Sequence, residues 1–373
     1  MKFKENELIY DIQRYIESGH IHLLLGSGAS IDSIKTLEDL ESNLTMFIND
    51  YLKSENERIK GEIAELLNLF LEDCIVPNHE LIERIYPARK GIVASLSHYK
   101  KLLQSFHGLL INRGSNHLPR KINIFTTNYD LFLELACEEL ELFYNDGGRG
   151  LLNRQFSSKN FQTRVYQLSD FYSYQYEEPV INIIKLHGSI NWTLSKQVVR
   201  INNQVTVNPI TVDDINESGY LKEDINLPII LPTKQKFIRT LMEHTYYDLT
   251  RLYANELERE QSVIFCFGFS FDDEHIRSIT TRALNNPSLT LLLFPFSDSD
   301  EKKLLTYFNT NSNVKVIRLA KSVIDGDQEQ VEYHLQQIKE YNVDPNRVNI
   351  DFNHFNLILE NIFSKISKSK VFK

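Results

Sequence analysis

Cysteine is scarce in this chain, and what little there is stands alone. Cys74, Cys137 and Cys266 are the only three in 373 residues, and no Cys-x-x-Cys pair occurs. Neither a zinc ribbon nor a disulfide framework is supported, and each thiol reads as a small buried hydrophobe. Long apolar runs are missing too: none approaches the ~20 residues that span a bilayer. Met1–Tyr10 is charged and lacks the apolar stretch of a secretory signal. A cytoplasmic protein with no membrane contact is the expectation. Positive charge is in deficit, with 41 Lys and Arg against 50 Asp and Glu and a net charge of −9. A generally basic nucleic-acid binder is disfavoured, which leaves such contact to a local patch or a partner. What is plentiful is core material, 42% hydrophobic residues. The length suits one large domain with insertions, or two domains.

The most informative stretch is Asn123-Ile-Phe-Thr-Thr-Asn-Tyr-Asp130. An apolar run from Ile122 to Phe125 predicts a short strand that stops in Thr126, Thr127, Asn128 and Asp130. Buried parallel strands are apolar on both faces. In open α/β sheets, ligands bind at the carboxyl ends of such strands. Asp130 is also placed to cap a helix over Leu131–Leu142, which explains Asp130 but not Asn128 or the Thr pair.

Three other apolar runs end in the same way. Ile21–Leu25 runs into Gly26-Ser27-Gly28-Ala29-Ser30, a strand–turn–helix start that can aim backbone N–H groups at a phosphate. A tight turn needing positive φ at glycine explains the same residues. The dehydrogenase fingerprint is absent: Ile31 replaces its third glycine, and the helical Leu44–Tyr51 stands where a strand-end acid belongs. Asn182–Leu186 ends in His187-Gly188-Ser189, and Ser262–Phe267 ends in Gly268-Phe269-Ser270. The acids Asp272, Asp273 and Glu274 that follow suit a helix N-terminus.

The remaining pattern fills in the architecture. Residues 5–18 read as an amphipathic helix, and 37–113 as a helical insertion broken at Pro77 and Pro87. The aromatic stretch Phe161–Tyr176 reads as half-exposed strands, and residues 193–226 as an antiparallel hairpin. Pro228–Pro232 precedes a basic loop, Thr233–Lys236, and then a helix over Phe237–Glu258. Leu289–Phe294 and Val314–Leu319 are further strands. Helices are predicted over Gln328–Tyr341 and Phe352–Ser367. Short apolar strands separated by helices define an α/β, Rossmann-like, doubly wound and mostly parallel sheet, with a helical insertion and C-terminal helices. Two units are expected: residues 1–323 as the catalytic domain and 324–373 as a helical packing or assembly element.

Gly-Ser-Gly-Ala-Ser, Thr-Thr-Asn-Tyr-Asp, Lys-Leu-His-Gly-Ser and Gly-Phe-Ser, in that order, resemble the sirtuin (SIR2) superfamily over Ile21–Phe294. The likeness is nearest to the bacterial SIR2-like branch that hydrolyses NAD in antiphage defence. It implies a Rossmann-like domain that takes NAD as its substrate. By that resemblance Gly26, Ser27, Gly28 and Ser30 hold the diphosphate, and Thr127 joins the cofactor-binding set. Asn128 and Asp130 hold the nicotinamide ribose and the attacking water, and His187 is the catalytic base. Gly268 and Ser270 contact the adenosine side. The chain departs from the deacylating sirtuins at two points. Ile31-Asp32-Ser33-Ile34-Lys35 replaces their Gly-Ile-Pro-Asp-Phe-Arg type segment, and their four zinc cysteines are absent, so no metal is expected. The branch also implies a homo-oligomer and a HerA-type ring ATPase as partner.

The chemistry these residue types offer is glycosidic cleavage. The nicotinamide–ribose bond breaks through an oxocarbenium-like state. A carboxamide positions a water or ribose hydroxyl, and a histidine accepts a proton at neutral pH. A zinc-free deacylase and a non-catalytic nucleotide-sensing or DNA-acting subunit are the competing readings.

Overall fold

The computed structural model describes residue 12 and residues 15–34, 38–113, 118–168, 175–195, 198–205, 208–217, 240–325, 328–337 and 348–371. The Pro228–Pro232 segment, the basic loop Thr233–Lys236 and much of the first helix lie outside the described residues.

Strand β1 (His20–Leu25) is an apolar run set between Gly19 and Gly26. The insertion follows as α1 (Glu38–Ser54), α2 (Glu57–Phe70), α3 (Val76–Ile82) and α4 (Lys90–Ile111). Pro77 does not break it, contrary to the sequence expectation. A π turn over Leu71–Ile75 carries α2 directly into α3 and leaves Pro77 in the first turn. There its missing N–H costs little.

Next come β2 (Lys121–Thr126), α5 (Phe132–Glu139) and the two-residue strands β3 (Tyr144–Asn145), β4 (Gly148–Arg149) and β5 (Gln155–Phe156). The aromatic stretch supplies a hairpin, β6 (Val165–Leu168) with β7 (Gln175–Glu178). Then follow β8 (Val180–Lys185), β9 (Trp192–Ser195) and β10 (Val198–Ile201), the last two paired antiparallel as expected. The chain continues through α6 (Thr240–Leu257), β11 (Ser262–Phe267), α7 (Glu274–Ala283), β12 (Thr290–Phe294) and α8 (Asp298–Phe308). It ends in β13 (Val314–Asp325), β14 (Gln328–Gln337) and α9 (Phe352–Val371).

Eight strands form the central sheet in the order β14-β13-β12-β11-β1-β2-β8-β3. All neighbours are parallel except β13 and β14. The six long parallel strands run β8-β2-β1-β11-β12-β13, the order of doubly wound dinucleotide folds. Chain direction across the sheet reverses between β1 and β11, and in folds of this type ligands bind at that switch point, beyond the strands' carboxyl ends. Side chains alternate between two layers. Ile21, Leu23 and Leu25 pack with the insertion and α9, whereas Leu24 packs with α6, α7 and α8.

One predicted helix is a strand. Gln328–Tyr341 reads as a helix through Val331, Leu335 and Ile338, but residues 328–337 pair with β13 along ten positions as β14. Val331, Tyr333 and Leu335 also alternate with period two, and the free edge of β13 decides between the two periods. The expected boundary at 323/324 falls inside β13. Both β14 and α9 share the sheet and core of the preceding residues.

Candidate functional site

The turn after β1 is a single 3-10 turn, Ser27–Ala29, not the start of a longer helix. Its N–H groups are committed to the protein's own carbonyls. Gly26 N donates to Phe267 O (3.1 Å), Gly28 N to Gly268 O (3.0 Å), Ala29 N to Gly26 O (3.1 Å) and Ser30 N to Ser27 O (3.0 Å). Gly26 has φ −109°, so positive φ does not explain it. Close approach does: a Cβ on Gly26 would lie 2.2 Å from Gly268 O and 2.6 Å from Phe269 Cα. The left-handed residue is Gly268 itself, at φ +65°. The ends of β1 and β11 are therefore zipped together at the switch point.

Asn128 and Asp130 tie the end of β2 to the same turn. Asn128 N donates to Thr126 Oγ1 (3.0 Å), which turns the chain out of the strand. Its Nδ2 donates to Gly26 O (3.0 Å) and, at 3.5 Å, to Ser30 Oγ. Ser30 Oγ donates to Asp130 Oδ2 (2.8 Å) and pairs with the Tyr99 hydroxyl of α4 at 2.8 Å. Ser30, Asn128 and Asp130 are 2%, 9% and 5% exposed. Asp130 is a poor helix cap: it meets only Phe132 N, at 3.4 Å. Burial pushes its carboxyl above the usual range, against the pull of Lys185 and Ser30.

Lys185, which sequence reasoning passed over, locks this corner. Its buried ammonium sits 2.9 Å from Glu134 Oε1 and 3.2 Å from Ser189 Oγ, and it donates to the carbonyls of Tyr129 (3.4 Å) and Asp130. A lysine closing a largely apolar, fully buried strand is the signal. Strand β8 then turns at Gly188 (φ +90°) and leaves His187 half-buried.

His187 reaches an unexpected partner. Its Nε2 lies 3.0 Å from Asp273 Oδ2, with the two side chains 18% and 22% exposed. Asp273 caps α7, accepting from His275 N (2.8 Å) and Ile276 N (3.0 Å) on Oδ1. Burial alone would raise the Asp273 carboxyl, but the His187 hydrogen bond and charge and the two helix N–H groups hold it down to about 2. In the sheet order, β1 and β2 lie between β11 and β8. The His187–Asp273 contact thus spans two strand ends. Sequence reading treated Asp273 only as an acid at a helix start.

Of the residues chosen from sequence, Gly26, Ser30, Asn128 and Asp130 share one buried network, and Gly28 packs on Gly268. Thr127, His187 and Ser270 are half-buried and Ser27 is exposed. Asn128 and His187 are joined through backbone, with Leu186 N donating to Thr126 O (2.8 Å). Among the described residues, no group of three or more His, Cys, Asp or Glu is placed to hold a metal ion. No described helix is long and apolar enough to cross a membrane.

Fold and site together define a doubly wound nucleotide-type domain whose polar residues gather at the switch point. The profile of the SIR2-like domain matches residues 122–317, more than half of the chain, and the protein belongs to that family. The match starts in β2, so the glycine turn after β1 precedes it. No curated protein matches the chain. The SIR2-like family uses NAD as substrate, and membership suggests an NAD-related activity.

Proposed function

We propose that this protein hydrolyses NAD to ADP-ribose and nicotinamide, and that it does so in antiphage defence by depleting the cofactor. The observation that supports the reading is that Asn128 and a carboxylate-paired His187 follow the ends of adjacent strands, β2 and β8. In this reaction a water oxygen bonds to the ribose carbon as the carbon–nitrogen bond to nicotinamide breaks. The bonding pair leaves with the nicotinamide ring, and the water's proton goes to His187. Asn128 and Asp130 orient the ribose and the water. Gly26, Ser27, Gly28, Ser30 and Thr127 hold the diphosphate side, and Gly268 and Ser270 the adenosine side.

The closed state of the site favours conditional activity. Four turn N–H groups and the Asn128 amide are bonded internally, so a diphosphate binds there only when those bonds open. Self-association and a HerA-type ring ATPase are the proposed triggers, which protects the host from constant NAD loss. The test is chromatography of NAD after incubation with the protein, alone and with the partner. Release of nicotinamide that Asn128→Ala and His187→Ala abolish supports the assignment. Release unchanged in either folded variant overturns it, as does binding without turnover under both conditions.

A further inference from the structure

We propose that Asp273 is the positioning residue of His187: it fixes the imidazole with its proton on Nε2, so that Nδ1 is the proton acceptor. This rests on the reading of His187 as the base. The geometry is specific. One carboxylate oxygen, Oδ2, faces His187 Nε2 at 3.0 Å, while the other, Oδ1, is held by His275 N and Ile276 N at 2.8 and 3.0 Å. A carboxylate accepts and does not donate, so the ring nitrogen opposite it carries the hydrogen. Once Nδ1 takes a proton, the same carboxylate stabilises the imidazolium. The N-terminus of α7 keeps Asp273 from following the ring. Tyr246 of α6 lies beside the imidazole, its ring centroid 6.2 Å from that of His187.

The placement also links two halves of the cleft. Asp273 ends the loop that begins at Gly268 and Ser270, so a nucleotide seated against that loop braces the residue that orients the base. The proton transfer stays with His187, and Asp273 remains ionised throughout.

Asp273→Asn separates this role from a structural one. Asparagine caps a helix as well as aspartate does, so α7 persists. With Oδ1 capping the helix, the new amide turns its Nδ2 donor toward His187 Nε2. That nitrogen must then accept, which moves the ring proton to Nδ1 and removes the base. The expected result is a fall in kcat of about 10³–10⁴-fold, the scale of a wrong-tautomer lesion, with KM within about twofold and the melting temperature held. In protein labelled with 15N-histidine, the His187 signal, assigned by its loss in His187→Ala, should switch from the Nε2–H to the Nδ1–H form. Asp273→Ser, which also caps but offers no carboxylate, should lose kcat without that switch. Glu274→Gln, at the exposed next position, should match the parent protein. An Nε2–H signal unchanged in Asp273→Asn overturns the inference, as does unchanged kcat where His187→Ala is inactive. Nicotinamide release that survives His187→Ala overturns the reading of His187 as the base instead, and the labelled-histidine spectrum still decides the pairing.

Discussion

Asn128 works through a donor, not merely through polarity. Its Nδ2 meets the Gly26 carbonyl at 3.0 Å, and the residue is 9% exposed. Asn128→Asp should therefore be nearly as damaging as Asn128→Ala, because it sets a carboxylate oxygen against a carbonyl. A loss of about 1–3 kcal/mol in urea unfolding is expected for the buried mismatch, along with loss of nicotinamide release. Gly26→Ala tests the zipped turn. Its Cβ would sit 2.2 Å from Gly268 O, a backbone atom that cannot swing aside. Destabilisation of about 1–3 kcal/mol follows from overpacking, read as a lower denaturation midpoint. Residue types at strand ends were legible because polar groups ending an apolar run are conspicuous. Their partners were not: Asp273 looks like any helix-start acid until folding brings His187 to it.

Among the elements, α9 is the one whose role the structure changes most. Its apolar face is already covered. Phe355 stacks on Phe267 at 4.5 Å and meets Phe294 edge-on at 4.7 Å, and Phe352, Ile358, Leu359 and Ile362 share the main core. Of the two roles expected for this face, packing on the body and assembly, the structure uses it for packing within the chain. Phe355→Ala should cost about 3–5 kcal/mol, measured by denaturant unfolding. If Phe355→Ala shifts the oligomeric state of a folded protein instead, α9 serves as an interface after all. The helical periodicity of α9 was correct in the sequence, while its partner was undetermined. Strand β14 shows the opposite failure, since ten residues with both periods take whichever structure the neighbouring edge rewards.

Across the whole molecule, a polar ladder crosses the sheet below the site. His22, Asn123 and Asn182 occupy matched positions on β1, β2 and β8, joined by Asn182 Nδ2 to Asn123 Oδ1 (2.7 Å) and Asn123 Nδ2 to Glu256 Oε2 (3.1 Å). Burial first, then the charges of His20, Lys121 and Arg259, lowers His22 from 6.5 to about 3. A histidine kept neutral by folding binds its proton more readily when unfolded. The stabilisation is complete above pH 6.5 and is lost progressively toward pH 3. The slope approaches about 1.4 kcal/mol per pH unit for one such group. Urea midpoints measured from pH 7.5 to 5 should fall with acid, and His22→Leu should flatten the curve. An equal slope in that variant excludes His22 as its source.

The sequence alone determined the strand–helix alternation, the parallel sheet and the four polar strand ends, because side-chain period and chain punctuation are local properties. Tertiary structure decided what meets what. It placed Gly26 against Gly268, Asn128 on the glycine turn, Lys185 beneath Asp130 and Asp273 beside His187. Each of those pairings joins separate strand ends. Which ends become neighbours depends on strand order, a property of the assembled sheet that no single stretch of chain contains.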